Sequence, residues 1–465
     1  MLFISLGVAL IIMDATIVTV ILPSIVADLG IDSVAAEWVN AVYSLTFASL
    51  LIVMGRLGDR FGRNRVFWLG AVVFAASSML AAAATTGGAL IVARALQGVG
   101  GAMMSPTSLS LVNALYRGKQ RAIAFAIYGS IIGGMAAVGP VVGGWLTEHF
   151  SWHWSFWVNL PIAALILVGA VRFVPESRAE GDVGSADVVG ALLSTVGIAA
   201  LVFALIEGRN YGWIRTTTDS SLLGINWSAG SISPVALALV GAAACLPGLY
   251  VYESALNRRG ASALIDTSLL RIPSFGLGSF AGLIVSLGEF GLLFSLPLFL
   301  QSVLGWSALG SGALLAALAL GTFFSAPTAA KFANSRSPRF VTRLGLSLEI
   351  VGIVGISLSA SPTASGWVVG GWLFVYGCGV GYATAQLTGL ILSEVPVTKS
   401  GQASGLQSTA RQLGASLGTA VLGTIVFVQL HDRTMEQVSQ IGGLPPTVAS
   451  DIASTVEKTA GTVIQ

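Results

Sequence analysis

Asp14, Arg94 and Glu289 each stand inside a stretch of sequence that is otherwise almost wholly apolar. Ionisable side chains in lipid cost about 2.5–3.5 kcal/mol each on insertion scales, so each needs a reason to be there. Desolvation favours the neutral form of a carboxylate and a nearby cation favours the charged one, and their balance decides whether an acid can load and release a proton. Asp14 is thus a candidate proton or cation site, about 13 Å below the end of its helix at about 1.5 Å per residue; a static acid that only holds helices together is the alternative. A guanidinium cannot give up its proton, so Arg94 either biases a neighbouring carboxylate or serves as a structural ion pair or carbonyl cap. Glu289 precedes Phe290 and Phe294, a spacing that suits a second proton site or a cationic solute beside two rings, and equally suits core packing. Arg411, followed by Gln412, and Glu349 carry the same ambiguity, with Arg411 placed to snorkel or to pair with a carboxylate.

The elements that hold these residues are membrane helices. Of 465 residues 54% are hydrophobic and 9% charged, against about 25% charged in soluble domains. Apolar runs long enough to cross a bilayer recur at 2–23, 38–54, 66–84, 88–112, 122–146, 156–174, 187–206, 233–253, 275–301, 310–330, 340–360, 366–392 and 403–429. The first has Asp14 in its middle, no basic lead-in and no clear cleavage site, so a retained helix is expected rather than a signal peptide. The 57 glycines suit close helix packing. Cys245 and Cys378 fall in apolar runs and read as buried thiols. His149, His153 and Glu148 crowd one turn, but with Trp152, Trp154 and Trp157 that turn reads as an interfacial aromatic belt rather than a metal site. With no metal cluster, no nucleophile–base pair and no Gly-x-x-x-x-Gly-Lys-Ser/Thr phosphate loop, we expect neither an enzyme nor an ATP-driven pump, and no cofactor. The net charge of +2 gives no reason to expect a nucleic-acid partner.

With the N-terminus in the cytoplasm, Arg209, Arg215, Arg433 and Lys458 lie outside and Arg94 and Arg411 lie within spans, leaving the other seventeen of the 23 basic residues on the cytoplasmic side, and this asymmetry is the reason to expect that orientation. The densest group is the turn Gly55-Arg-Leu-Gly-Asp-Arg-Phe-Gly-Arg-Asn-Arg65. Sidedness explains its arginines but not Asp59 or the glycine spacing; Asp59 and Arg63 suit a charge lock that opens and closes that side. Residues 330–341 echo the turn one half-protein later, with Asn334 where an acid would stand, as duplicated transporter halves would give. Thirteen spans leave 431–465 as a polar extracytoplasmic tail, as though a fourteenth helix should follow.

Four motifs resemble the major facilitator superfamily, specifically its fourteen-helix drug:proton antiporter branch. Gly55, Asp59, Gly62 and Arg63 match the signature turn between helices 2 and 3. Arg94-Ala-Leu-Gln-Gly98 resembles the Arg-x-x-Gln-Gly motif of helix 4. Gly139-Pro-Val-Val-Gly-Gly144 resembles the antiporter motif of helix 5, in which Gly139, Pro140, Gly143 and Gly144 permit close approach and a kink. Met13-Asp-Ala-Thr16 through Pro23 resembles the branch's Asp-x-Thr…Leu-Pro motif. The resemblance covers about residues 1–430; Asn334 and the missing last helix depart from it.

The resemblance implies an all-α polytopic membrane fold: a six-helix bundle at 1–175, two inserted helices with linkers at 176–272, and a second bundle at 273–430. It implies a proton-coupled exporter of amphipathic drugs, dyes or antibiotics in the cytoplasmic membrane, working as a monomer by alternating access. Asp14, Arg94 and Glu289 would couple to protons; Gly55, Asp59, Gly62 and Arg63 would gate; Glu289, Phe290, Phe294 and Gln97 would contact the substrate. An exporter of one metabolite, such as an amino acid or natural product, is the rival within transport, and a non-transporting membrane sensor the rival outside it.

Overall fold

The computed structural model describes residues 1–31, 33–179, 187–216, 219–222, 225–302, 304–306, 308–361, 364–439 and 452. Each expected span is a helix: α1 Leu2–Leu29, α2 Ser33–Phe61, α3 Arg63–Ala82, α4 Gly87–Leu115, α5 Gly118–His149, the short α6 Trp154–Trp157 leading into α7 Asn159–Phe173, α8 Val188–Tyr211, α9 Pro234–Arg258, α10 Pro273–Ser302, α11 Ala308–Ser335, α12 Pro338–Ser359, α13 Gly366–Ile391 and α14 Ser400–Ser439. Among the described residues ten stretches, α6 with α7 counting as one, have the length and apolar character to cross a bilayer; α4, which carries Arg94 and Gln97, is not among them, nor are α11 and α14. Most helices outrun their apolar runs, because polar end residues continue the hydrogen-bond ladder. The largest excess is α14, which reaches Ser439, so the first residues assigned to a polar tail are helical. Residues 440–451 and 453–465 lie outside the described residues.

Local chemistry sets several starts. Thr86, Asp187, Ser233 and Ser337 each accept a hydrogen bond from the first turn of α4, α8, α9 and α12, satisfying donors a helix leaves unpaired. Pro234 and Pro338 follow two of these caps at positions where the missing N–H costs nothing. A small antiparallel hairpin, Ser220–Leu222 with Ile225–Trp227, adds to the helical architecture between α8 and α9.

The packing repeats. In the first half α1 lies on α5, α2 on α4 and α3 on α4; in the second, α10 lies on α14, α11 on α13 and α12 on α13. Numbering the second half from α10 maps each pair onto its counterpart, which is the signature of a duplicated unit. The seams between halves, α2 with α14 and α5 with α11, exchange under the same mapping. The basic echo at 330–341 thus belongs to a repeated framework. A large apolar core fills the first half around Ile4, Ile17, Phe67, Phe74 and Phe156, and a smaller one fills the second around Leu300, Leu318, Leu373 and Tyr376. The pair α8–α9 packs on itself and touches α2 and α14 along one seam.

Candidate functional site

Asp14 lies midway along α1 and is only 1% exposed. One carboxylate oxygen accepts from Arg94 Nη1 at 2.5 Å; the other accepts from Gln97 Nε2 at 3.1 Å and Asn159 Nδ2 at 2.7 Å. Arg94 and Gln97, three apart on α4, share a face, and Arg94 also donates to Gln97 Oε1 at 2.8 Å and through Nε to the Val39 carbonyl at 3.2 Å. Ser78 of α3 accepts from Gln97 at 2.8 Å and from Asn159 at 3.2 Å. The guanidinium carbon sits 4.3 Å from the centre of the Tyr43 ring, a cation–π contact. A buried acid and a buried cation are thereby paired and hydrogen-bonded together, the arrangement that makes burying both tolerable.

Glycines place the helices around this cluster. A Cβ at Gly98 would stand 2.7 Å from the Tyr43 carbonyl, so only glycine lets α4 lie this close to α2. Gly139 and Gly143 of α5 lie flush on α1 on the far side: an added Cβ would be 2.9 Å from the Met13 carbonyl at the first and 3.3 Å from that of Ile17 at the second. The antiporter-like motif therefore packs on the turn of α1 that holds Asp14. Gly144 is looser, with Val20 at 3.9 Å, and Pro140 faces the cavity described below.

At one end of the molecule Asp59 and Arg63 are both fully buried. Asp59 accepts from Arg63 Nε at 3.1 Å and Nη2 at 2.8 Å, and from the backbone N–H groups of Gly401 and Gln402 at 3.0 and 3.1 Å. Those last two donors are free because they begin α14, and a carboxylate there also meets the positive end of the helix dipole. Arg63 Nη2 reaches the Val397 carbonyl at 2.7 Å and Nη1 the Ser177 hydroxyl at 3.0 Å. Gly62, at φ +110°, turns the chain from α2 to α3, and Glu176 accepts from the N–H groups of Asn64 and Arg65 at 3.0 and 3.1 Å. Gly55, one turn earlier on α2, faces the same start of α14, with Gly401 nearest to it. A Cβ on Gly55 would stand 3.2 Å from Gly405 Cα, so α2 and α14 meet backbone to backbone. Replacing Gly55 by Ala should weaken this seam by about 1–3 kcal/mol, the usual cost of overpacking. The readout is maleimide labelling of a Ser400→Cys reporter, with Cys245 and Cys378 replaced by Ala. Ser400 is 0% exposed and its hydroxyl accepts from Asn113 at 2.7 Å; the Gly55 variant should label it faster.

The same end ties in the linker after α9. Lys399 forms an ion pair with Asp266, and the Asp266 N–H donates to Gln402 Oε1 at 2.9 Å. Burial pushes the Asp266 carboxyl up, but hydrogen bonds from Lys399 and Ser268 outweigh it and hold it below the usual carboxylate range. The contact is complete above that range and is lost only as pH falls through the lowered value.

Between the halves lies a cavity of about 710 Å³. On α2 its wall runs from Asn40 to Phe47, so it begins twelve residues before Asp59, about 18 Å at 1.5 Å per residue. Tyr43, Phe47 and Tyr128 line one side, Phe290 and Phe294 the other, and Gln407, Arg411 and Gln412 face in from α14. Phe290 and Phe294 thus line the cavity. Gln97 sits instead in the Asp14 cluster, and Glu289, 2% exposed, is buried beside the cavity rather than lining it. Glu289 Oε2 and Glu349 Oε1 have no hydrogen-bond partner among the described residues, and the two acids sense one another's charge. Arg411 neither snorkels nor pairs: among the described residues it forms no hydrogen bond or ion pair, because α14 turns it inward to the cavity. In the aromatic turn, Trp152 is buried and donates to Asp28 at 2.9 Å, whereas Trp154 and Trp157 are exposed.

A family model described as Major Facilitator Superfamily matches residues 4–419. The chain belongs to the major facilitator superfamily. Among solved structures, the human organic anion transporter MFSD10 matches with a TM-score of 0.63 at 16% identity, covering 100% of this chain and 98% of that one. The proton:xylose symporter XylE matches at 0.61 and 14%, covering 99% and 93%. Both likenesses concern the fold. In sequence, the chain is 34% identical to the probable actinorhodin transporter of Streptomyces coelicolor, over 96% of this chain and 75% of that protein. It is 34% identical to the multidrug efflux pump LfrA of Mycolicibacterium smegmatis, over 90% and 79%, and 28% identical to the tetracenomycin C resistance and export protein of Streptomyces glaucescens, over 96% and 82%. This chain is accordingly a multi-pass membrane transporter of small molecules.

Sequence reasoning missed the partners that complete each cluster. Ser78 and Asn159 are polar residues inside apolar helices, and that contrast could have found them. Val397, Gly401 and Gln402 act through backbone groups, which no side-chain pattern reveals.

Proposed function

We propose that the chain exports amphipathic aromatic compounds, drugs or antibiotics among them, from the cytoplasm in exchange for protons. The observation that carries this reading is the Asp14–Arg94 pair beside the antiporter-like glycines: an acid sealed inside a bundle, on the turn of α1 that α5 grips. Protonating Asp14 would leave the Arg94 charge buried and unpaired, at a cost of several kcal/mol. Proton loading is therefore tied to movement of α1 against α4 and α5, which is what coupling requires. Residues 1–175 and 273–430 serve as the two moving bundles, with 176–272 as the inserted pair. The basic Asp59 end faces the cytoplasm, as the distribution of arginines favours, and the chain works as a monomer in the cytoplasmic membrane. Asp59, Arg63, Gly55 and Gly62 form the gate, closed in this conformation while the cavity lies beyond it. Glu289 is a second titrating group, acting on the C-terminal half with Glu349. The relatives named for export or efflux support the direction of transport. Dye uptake into everted membrane vesicles, with and without an imposed pH gradient, tests the reading: accumulation only with the gradient is expected, and binding without accumulation would favour a sensor.

A further inference from the structure

The cavity's wall is unevenly charged. Arg411 is its one formally charged lining residue, and no Asp or Glu lines it among the described residues. Its stem packs against bare backbone, with Cγ 4.0 Å from where a Cβ would stand on Gly282. Glu289 senses its charge from within the protein but takes none of its donors. One turn earlier on the same face, Gln407 lines the cavity, is 1% exposed, and its Oε1 has no donor among the described residues. An unsatisfied acceptor in so buried a place is costly unless a ligand or water supplies the proton. The aromatic walls, Phe290 and Phe294 facing Tyr43 and Phe47, offer flat apolar surface to a ring system, and about 710 Å³ suits a drug-sized molecule.

We infer that the cavity selects hydroxylated aromatic anions, holding the acidic group on Arg411 and the hydroxyl proton on Gln407 Oε1. A guanidinium gives a carboxylate or phenolate a pair of charge-assisted hydrogen bonds, and in a confined, weakly screened space it repels cations. The inference rests on this cavity being the transport path, and it names the charge class that path admits.

The test uses two xanthene dyes of similar frame and opposite charge, fluorescein and rhodamine 6G, with the full-length protein in nanodiscs, in mildly acidic buffer where fluorescein is the monoanion that keeps one phenolic hydroxyl beside its ionised carboxylate. By fluorescence polarisation the wild type should bind fluorescein at least about tenfold more tightly than rhodamine 6G, the factor expected from one charge-assisted hydrogen bond. Arg411→Gln should erase that preference, Arg411→Lys should retain part of it, and Gln407→Leu should weaken fluorescein alone. Equal or tighter binding of rhodamine 6G by the wild type overturns the inference, and this comparison stands even if a variant fails to fold. So does a preference for fluorescein that survives in a folded Arg411→Gln. Gradient-driven transport separates the two levels of the argument. If fluorescein binds selectively but neither dye moves with a pH gradient, the exporter reading fails and the cavity assignment stands. If both dyes move equally well, the exporter reading stands and charge selection fails.

Discussion

Replacing Asp14 by Asn is expected to abolish gradient-driven transport. The substitution keeps the shape and one acceptor oxygen but removes the only negative charge that Arg94 contacts among the described residues. Breaking a buried ion pair by neutralising one partner costs about 3–5 kcal/mol, so lost transport alone would not separate a proton site from a scaffold. The separation comes from the double variant Asp14→Asn with Arg94→Gln. Removing both charges relieves the uncompensated guanidinium and should restore much of the thermal stability, measured in detergent by fluorescence-detected size exclusion. Transport should stay absent, because the acid proposed to carry the proton is gone. A double variant that regains both stability and proton-driven export would make the pair a static brace and place the coupling elsewhere, with Glu289 and Glu349 the first residues to examine. Arg94→Lys should also impair coupling, since an ammonium cannot reach Asp14, Gln97 and the Val39 carbonyl together as the planar fork does.

Asp59→Asn should shift the protein toward the state open at the Asp59 end while leaving solute binding nearly unchanged. Four donors converge on this carboxylate, two from Arg63 and two from the start of α14. An amide oxygen retains some of these contacts without the charge, so the expected loss is about 1.5–3 kcal/mol, one charge-assisted hydrogen bond, or about ten- to a hundredfold in the closed-to-open ratio. The Ser400→Cys reporter should label faster by that factor. Fluorescein affinity should move little, because the cavity wall on α2 begins a dozen residues away. Weakened dye binding with unchanged labelling would remove Asp59 from the gate.

Both clusters show how far the sequence reaches. Asp14 and Arg94 were legible because a charge in a membrane helix is anomalous on its own, Asp59 because sidedness does not explain an acid among arginines, and the helices because hydropathy marks them one by one. Gly55 and Gly139 were visible as motif members, yet their purpose depends on which backbone lies opposite, and that is a property of the packed bundle. The same limit hid Gly401 and Gln402, whose contribution is an N–H at a helix start. Glu289 and Arg411 show the remaining gap. Side-chain type made Glu289 a plausible solute contact and Arg411 a snorkelling or paired cation, but only the rotation of α10 and α14 decides that the arginine faces the cavity and the glutamate lies buried beside it.

The most direct test of the central claim is transport by the purified protein in proteoliposomes, with fluorescein or rhodamine 6G outside and a pH gradient imposed across the membrane. Uptake into vesicles with an acidic lumen should grow with the gradient, collapse on addition of a protonophore, and be accompanied by alkalinisation of the lumen reported by a trapped pH indicator. Accumulation that survives the protonophore, or dye movement with no matching proton flux, would contradict proton-coupled export.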